Sequence, residues 1–512
     1  MTRRHGAPLV ARIPLAALTL LAAAGLLAGP AQAAPRATDI VQLRAGVSLA
    51  DGQAIVRAAH GRVTGRLPII RGLATRLSPA ARARLVADRR IAAISANAPI
   101  RSQSSTWSPP VGGGGLATAY PSSVMAPPSW DQVTGDGVGV AVIDTGIDGG
   151  LPDFTDSGGN SRVVATVVTN PDATTPLDGY GHGTHVAGII AGDGTRRTSD
   201  DPAAGQFVGI APRANLIAIK ASDDQGAGTI LDAIYGLQFV VDHKADYNIR
   251  VVNLSLASTV AESYRTDPLD AAVESAYFHG IVVVTAAGNR GDAADAVSYA
   301  PGNDPFAISV GAVDDQGTAT RDDDTLASWS SAGVTQDGFA KPDLAAPGAH
   351  IVSTLARGSA FADLCQSCIV DGSYIRVGGT SMAAPVVSGV AALLIEAHPE
   401  WTPDQIKATL VDTGRDVPSG VDEVNAMAAL SVERPSAGVN AGVAPNDLVD
   451  AATGDIDETR SSWGRSSWGR SSWGADWARS SWGCTCSQVS TGTVEDTRSS
   501  WGSASWLSRW DY

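Results

Sequence analysis

The period of the apolar positions changes along the chain, and each change marks an element or a boundary. Leu15–Ala28 is an unbroken run of small and apolar residues, preceded by Arg3, Arg4 and Arg12 and followed by Ala31-Gln32-Ala33. About 14 residues fall short of the roughly 20 that cross a bilayer as a helix, so residues 1–34 read as a cleaved secretory signal. From Asp39 the pattern alternates between strand and helix. Asp39–Leu43 reads as a strand, Ser48–Ala59 as a capped helix, and Gly61–Leu67 and Ile70–Leu77 as strands. A helix opened by Ser78-Pro79 and a strand at Ile91–Ala96 follow. This β-α-β-β-α-β order predicts a small α+β, ferredoxin-like domain over 35–106. Pro109-Pro110 and Gly112–Gly115 mark 107–125 as a linker.

Between 126 and 430 the strand candidates become almost continuously apolar: Gly139–Ile143, Val163–Val168, Leu216–Lys220, Arg250–Leu256, Ile281–Ala286 and Phe306–Val310. They alternate with helical stretches such as Thr229–His243 and Pro268–Phe278. Strands apolar on both faces need helices on both faces, which predicts a doubly wound, mostly parallel α/β sheet. No stretch after the signal is expected to span a membrane. Beyond Leu430, residues 431–512 read as a low-complexity tail in which Arg-Ser-Ser-Trp-Gly recurs at Arg460, Arg465, Arg470, Arg479 and Arg498. A period of five fits neither strand nor helix. Its tryptophans would suit contact with carbohydrate, cell wall or another protein.

Charge sharpens these boundaries. Residues 35–106 carry 12 Arg against 3 Asp, a balance of +9. The first 34 residues add +3, so the net charge of −15 leaves −27 on residues 107–512. A basic domain ahead of an acidic one predicts docking aided by long-range attraction. An acidic pI of about 4.9 argues against nucleic acid as a partner. Four cysteines, Cys365, Cys368, Cys484 and Cys486, read as disulfides in a secreted chain, with three pairings open.

Three segments carry the chemistry. Asp144 closes the apolar run Val140–Ile143, His182 stands in Gly181-His-Gly-Thr-His-Val-Ala-Gly188, and Ser381 stands in Gly378-Gly-Thr-Ser-Met-Ala-Ala-Pro385. Strand ends and helix starts meet along one edge of a doubly wound sheet, so these three side chains can converge. Convergence suits acyl transfer. A serine hydroxyl needs a base to take its proton, and the imidazole needs an acid to fix its tautomer. Backbone N–H groups at the start of the Ser381 helix can face a developing oxyanion, and Asn289 in Ala286-Ala-Gly-Asn289 is a candidate second donor.

Together these motifs resemble those of subtilisin-like serine proteases, over roughly 126–430. The resemblance implies a secreted endopeptidase acting on protein or peptide substrates. It also implies an inhibitory pro-domain, here 35–106, removed by self-cleavage. It assigns Ser255, Leu256 and Ala257 to a strand that pairs with substrate. Ala286, Ala287 and Gly288 would wall the pocket for the residue before the cut, with Ser298 near its base. No residue there is charged, so apolar or medium-sized residues are expected at that position. No cofactor is expected for catalysis. Asp153 matches a position that ligates calcium in many members, so a structural calcium is an expectation.

Other signals are weaker. Gly135-x-Gly137-x-Gly139 precedes its strand, unlike a dinucleotide loop, and His182 and His185 lack the spacing of a zinc protease. The rival functions are a cell-envelope binding protein working through the tail, and an esterase. The latter more often carries Gly-x-Ser-x-Gly.

Overall fold

The computed structural model describes residues 39–103, 106–107, 118–196, 205–417, 420–435 and 438–450, all of which fall in one compact unit. The expected signal peptide, the repeats, Cys484 and Cys486 lie outside these residues.

The N-terminal lobe contains β1 (Asp39–Leu43), α1 (Leu49–Ala58), β2 (Arg62–Leu67), β3 (Gly72–Arg76), α2 (Pro79–Val86) and β4 (Ile91–Ala96). The strands form one antiparallel sheet in the order β2-β3-β1-β4. Ser48 and Ser78 cap the two helices through their hydroxyls, which accept from Asp51 N and Ala81 N. Val41, Leu43, Ile55, Val56, Leu73 and Leu85 make a small core between sheet and helices. Two short strands follow, β5 (Pro99–Ser102) and β6 (Thr106–Trp107).

The large lobe opens with α3 (Tyr120–Ser123) and continues with β7 (Gly139–Asp144), β8 (Val163–Val168), α4 (His182–Ala191), β9 (Asn215–Lys220), β10 (Gly228–Thr229) and α5 (Ile230–Asp242). Next come β11 (Ile249–Leu254), β12 (Leu256–Ser258), α6 (Pro268–Phe278), β13 (Val282–Ala286), β14 (Ile308–Asp314) and β15 (Thr325–Leu326). A hairpin of β16 (Gly333–Val334) and β17 (Ala340–Lys341) precedes β18 (Leu344–Pro347), β19 (Ile351–Thr354), α7 (Ala360–Leu364), β20 (Ile369–Val370) and β21 (Tyr374–Gly378). The chain then forms α8 (Thr380–Ala397), α9 (Pro403–Asp412) and α10 (Ala426–Leu430). The central sheet runs β8-β9-β7-β11-β13-β14-β18 with every neighbour parallel, and β15 adds antiparallel to β14.

Alternation along each strand explains the continuous apolar runs. Val140 and Val142 of β7, with Leu216 and Ala218 of β9, pack into a core with α4 and α8. Ala141, Ile143, Ile217 and Ile219 face the opposite core with α5 and α6. Both faces are covered, so neither register can be polar.

Several expectations change. The folded part begins before Ala126, because Tyr120 and Val124 are buried in the main core. It continues past Leu430, because Leu448 and Val449 pack against the α5–α6 face. The strand expected over Arg250–Leu256 breaks at Ser255, and β12 leaves the central sheet to pair with β5. The helix that follows the Ser381 motif starts within it, at Thr380. At 18 residues α8 is long and apolar enough to cross a membrane, but Thr380–Ile395 is buried and forms the protein's central core helix.

Candidate active site

Asp144 is the last residue of β7 and His182 the first of α4. Asp144 Oδ1 lies 2.7 Å from His182 Nδ1 and also accepts from Thr145 N at 2.7 Å. Both side chains are buried. The turn before α4 is built around Asp178. Its carboxylate accepts from Gly181 N, Thr145 Oγ1, Thr184 N and Thr184 Oγ1 at 2.7–2.8 Å. Burial pushes the Asp178 carboxyl up, and these donors pull it back. Gly183 is required by close packing, since a Cβ there would meet Gly146 O at 2.2 Å. His182 Nε2 is buried with no hydrogen-bond partner among the described residues, leaving a base nitrogen free.

His185 plays a different part. Its Nε2 lies 3.0 Å from Ile375 O, tying α4 to β21, and burial lowers its pKa to about 3, so the ring is neutral. The sequence offered this residue only as a rejected zinc ligand; the structure makes it a strut.

Ser381 sits in the first turn of α8, one residue after Thr380. Pro385 stands four residues later and has no N–H, so Ser381 O is released from the helix ladder. That carbonyl instead accepts from Ser255 Oγ at 2.9 Å, while Ser255 Oγ accepts from Asn253 Nδ2. In return Ser381 Oγ donates to Ser255 O at 2.9 Å. Ser255, expected to line the substrate strand, therefore also fixes the serine. To react, the Ser381 hydroxyl must exchange this bond for one to a base.

Asn289 follows β13 and completes the cluster. Its Oδ1 accepts from Thr380 N at 3.0 Å and Thr380 Oγ1 at 3.1 Å, which leaves the Nδ2 end turned outward. Thr380 Oγ1 also accepts from Gly288 N at 3.1 Å. Thr380 lies inside the motif that held Ser381, yet sequence reasoning gave it no role.

What lies in the cleft is the chain itself. β5 is inserted antiparallel between β10 and β12, with Ile100 opposite Gly228 on one side and Ser258 on the other. Leu256 and Ala257 pair with Ser102 and Arg101. Ile100 is 3% exposed. At the end of this strand, Gln103 N donates to Ser255 O at 3.3 Å. Gln103 O accepts from Ser381 N at 3.3 Å and from Asn289 Nδ2. Two donors thus converge on one carbonyl oxygen, the geometry that stabilises an oxyanion. Gln103 Nε2 turns back onto Arg101 O at 3.0 Å. Ala286, Ala287 and Gly288 stand beside this carbonyl's donors. The neighbour of Gly288 is Ser331, whose Oγ would lie 2.9 Å from an added Cβ; Ser298 instead accepts at its carbonyl from Gln336 Nε2.

Asp153 does not fit a calcium ion. It is fully buried, Tyr374 donates its hydroxyl to Oδ1 at 2.7 Å, and Arg196 Nε stands 3.4 Å from Oδ2. An arginine already supplies the positive charge. Among the described residues no set of three His, Cys, Asp or Glu side chains converges as metal ligands do. Cys365 and Cys368 form a disulfide with each other.

A doubly wound α/β sheet with an acid–imidazole pair and a helix-start serine at one rim defines a class of acyl-transfer protein. Comparison with known proteins gives the family. Residues 135–431 match the subtilase family, Peptidase S8. The serine protease AprX of Bacillus subtilis (strain 168) is 40% identical over 283 residues, covering 54% of this chain and 61% of that protein. Subtilisin E of the same organism is 37% identical over 296 residues, covering 57% of this chain and 64% of that protein. The crystal structure of fervidolysin from Fervidobacterium pennivorans, a keratinolytic enzyme related to subtilisin, superposes with a TM-score of 0.59. It is 25% identical, over 78% of this chain and 62% of that one. The chain thus spans a little over three fifths of the length of these relatives. It belongs to the subtilase family.

Proposed function

We propose that this chain is a serine endopeptidase made as a zymogen, and that it cuts itself between Gln103 and Ser104. The observation that carries this reading is the Gln103 carbonyl, held by Ser381 N and Asn289 Nδ2 next to the serine hydroxyl. In the reaction Ser381 Oγ attacks the Gln103 carbonyl carbon, and its proton passes to His182 Nε2. Asp144 stabilises the imidazolium and holds its tautomer. The tetrahedral oxyanion rests on the two donors. The C–N bond then breaks, and the amine of Ser104 leaves with the proton from His182. Water, deprotonated by the same imidazole, hydrolyses the acyl-enzyme.

Residues 39–103 then act as an inhibitor that presents its own end to the cleft. The lobe is anchored by more than β5. Ala98 O and Asn97 Oδ1 accept from Ile230 N and Leu231 N, capping the start of α5. Ile69 N donates to Gln238 Oε1, and Ser95 Oγ to Glu262 Oε1. Leu67, Ile69 and Ile70 share the apolar core of α5 and α6. Proteins and peptides that add a strand between β10 and β12 are the substrates. Export through residues 1–34 is part of the same reading.

The test is intact-mass analysis of the product beside Ser381→Ala. A new N-terminus at Ser104 in the wild type only is the expected result. Identical processing of the serine variant would refute self-cleavage.

A further inference from the structure

The leaving-group side of the cleft holds a second strand pairing. Val377 and Gly378, at the end of β21, pair antiparallel with Trp107 and Thr106. β19 covers one edge of β21 from Tyr374 to Val377. β20 takes Tyr374 and Ile375, so β20 and β6 share the other edge. Gly378 stands three residues before Ser381. When the bond after Gln103 is cut and Thr106–Trp107 leaves, an unpaired strand edge opens beside the nucleophile, and such an edge accepts an added strand.

The sequence supplies a candidate for that place. Outside the tail, Ser-(Ser or Thr)-Trp occurs at one site in 512 residues, Ser105-Thr106-Trp107, which contributes the strand lying on β21. In the tail it occurs five times, ending at Trp463, Trp468, Trp473, Trp482 and Trp501. Ser104-Ser-Thr-Trp-Ser108 aligns without a gap on Arg-Ser-Ser-Trp-Gly. We propose that the repeats of the C-terminal tail are the second occupant of the Val377–Gly378 edge. After processing, one repeat replaces Thr106–Trp107 and obstructs the leaving-group side of the cleft. The proposal rests on the endopeptidase reading above.

Reach and copy number favour it. The described chain ends at Asp450, and 13 residues to Trp463 can span up to about 45 Å; later copies reach further. A tethered segment has an effective concentration on the order of millimolar, and five copies multiply it. If one repeat binds with a Kd of about 1 mM, five copies raise the apparent KM for substrates extending past the cut about six-fold. Substrates ending in a small aryl amine do not need that edge and are affected little.

The experiment compares three processed enzymes of verified mass: full length, a chain ended after Asp450, and full length with all five repeat tryptophans changed to alanine. Each is assayed on a peptide extending four residues past the cut and on a peptidyl p-nitroanilide. The expected result is a several-fold lower KM for the long peptide in both altered enzymes, with p-nitroanilide kinetics unchanged. A synthetic Gly-Arg-Ser-Ser-Trp-Gly-Arg-Ser-Ser-Trp-Gly should inhibit the shortened enzyme competitively at millimolar concentration, and its Trp→Ala form should not. Equal KM values in all three enzymes, no inhibition by the peptide, or loss of the tail by self-cleavage would each overturn the proposal. Absent p-nitroanilide turnover in the full-length enzyme, with Ser381 unlabelled by a fluorophosphonate, would instead overturn the endopeptidase reading itself.

Discussion

Thr380 holds the amide of Asn289, the proposed oxyanion donor, and its hydroxyl can be removed with little change of shape. Thr380→Val keeps the β-branch and the backbone N–H that donates to Asn289 Oδ1. It deletes the donor at 3.1 Å to Asn289 Oδ1 and the acceptor at 3.1 Å for Gly288 N. Losing one of two bonds that hold the amide is worth about 1 kcal/mol, the net value of an ordinary neutral hydrogen bond. If that loss falls on the transition state, kcat drops about five- to ten-fold while KM stays within two-fold. Separately, Gly288 N–H is left buried without an acceptor, which costs about 1–3 kcal/mol of stability. For a lobe of this size that is a fall in Tm of several degrees, at about 2–4 °C per kcal/mol. Thr380→Ser restores the hydroxyl and should restore kcat. The assay is steady-state hydrolysis of a peptide amide by processed enzyme, with thermal melts alongside. A Thr380→Val enzyme with unchanged kcat, or a serine variant as slow as the valine one, would refute a positioning role for this hydroxyl.

Other predictions concern the inhibitor strand, pH and metal. Ile100→Ala removes a buried side chain that packs against Gly228 and should cost at least about 2 kcal/mol, so the cleaved N-terminal lobe should dissociate about 30-fold more readily. Gel filtration of the processed mixture reads this, and full co-elution of the variant lobe would contradict it. Asp270 is fully buried with both carboxylate oxygens unpartnered among the described residues. Burial, then the charges of Asp267, Asp304, Glu274 and Glu262, raises its pKa, while Asp267 and Asp304 are pushed up to about 7. A carboxyl raised in the folded state stabilises most below its unfolded value near 4 and loses that contribution as pH rises through the folded one. Stability of the Ser381→Ala zymogen to urea should therefore fall between about pH 4 and pH 7, by up to about 1.4 kcal/mol per pH unit for each such group. Asp270→Asn should flatten this slope, and an unchanged slope would show that Asp270 ionises freely. EDTA should leave the Tm unchanged, because Asp153 is already matched by Tyr374 and Arg196. A drop of several degrees would show a metal site elsewhere.

The sequence by itself determined most of the elements and singled out the candidate side chains. Period-two strands apolar on both faces leave only a sheet covered on both sides, and Ser48 and Ser78 announce their helices because a hydroxyl ahead of a helix satisfies its first N–H groups. Asp144, His182, Ser381 and Asn289 each have an ordinary structural explanation taken singly, as turn, cap or helix-start residues, and stood out because all four contexts occur together in one chain order. Only the tertiary structure decided what surrounds them. The bond between Ser255 and the carbonyl freed by Pro385 joins residues more than 120 positions apart, and no local pattern encodes it. Nor could periodicity show that Asp178 gathers four donors beneath the His182 turn, or that Arg196 stands beside the buried carboxylate of Asp153. The proposed cut site was hidden for the same reason. Gln103 is an ordinary polar residue in its own segment, and it acquires meaning only where β10 and β12 hold its strand and two distant donors meet on its carbonyl. Local preferences follow from the chain's own chemistry over a few residues, whereas partners are set by which surfaces the packed core brings together.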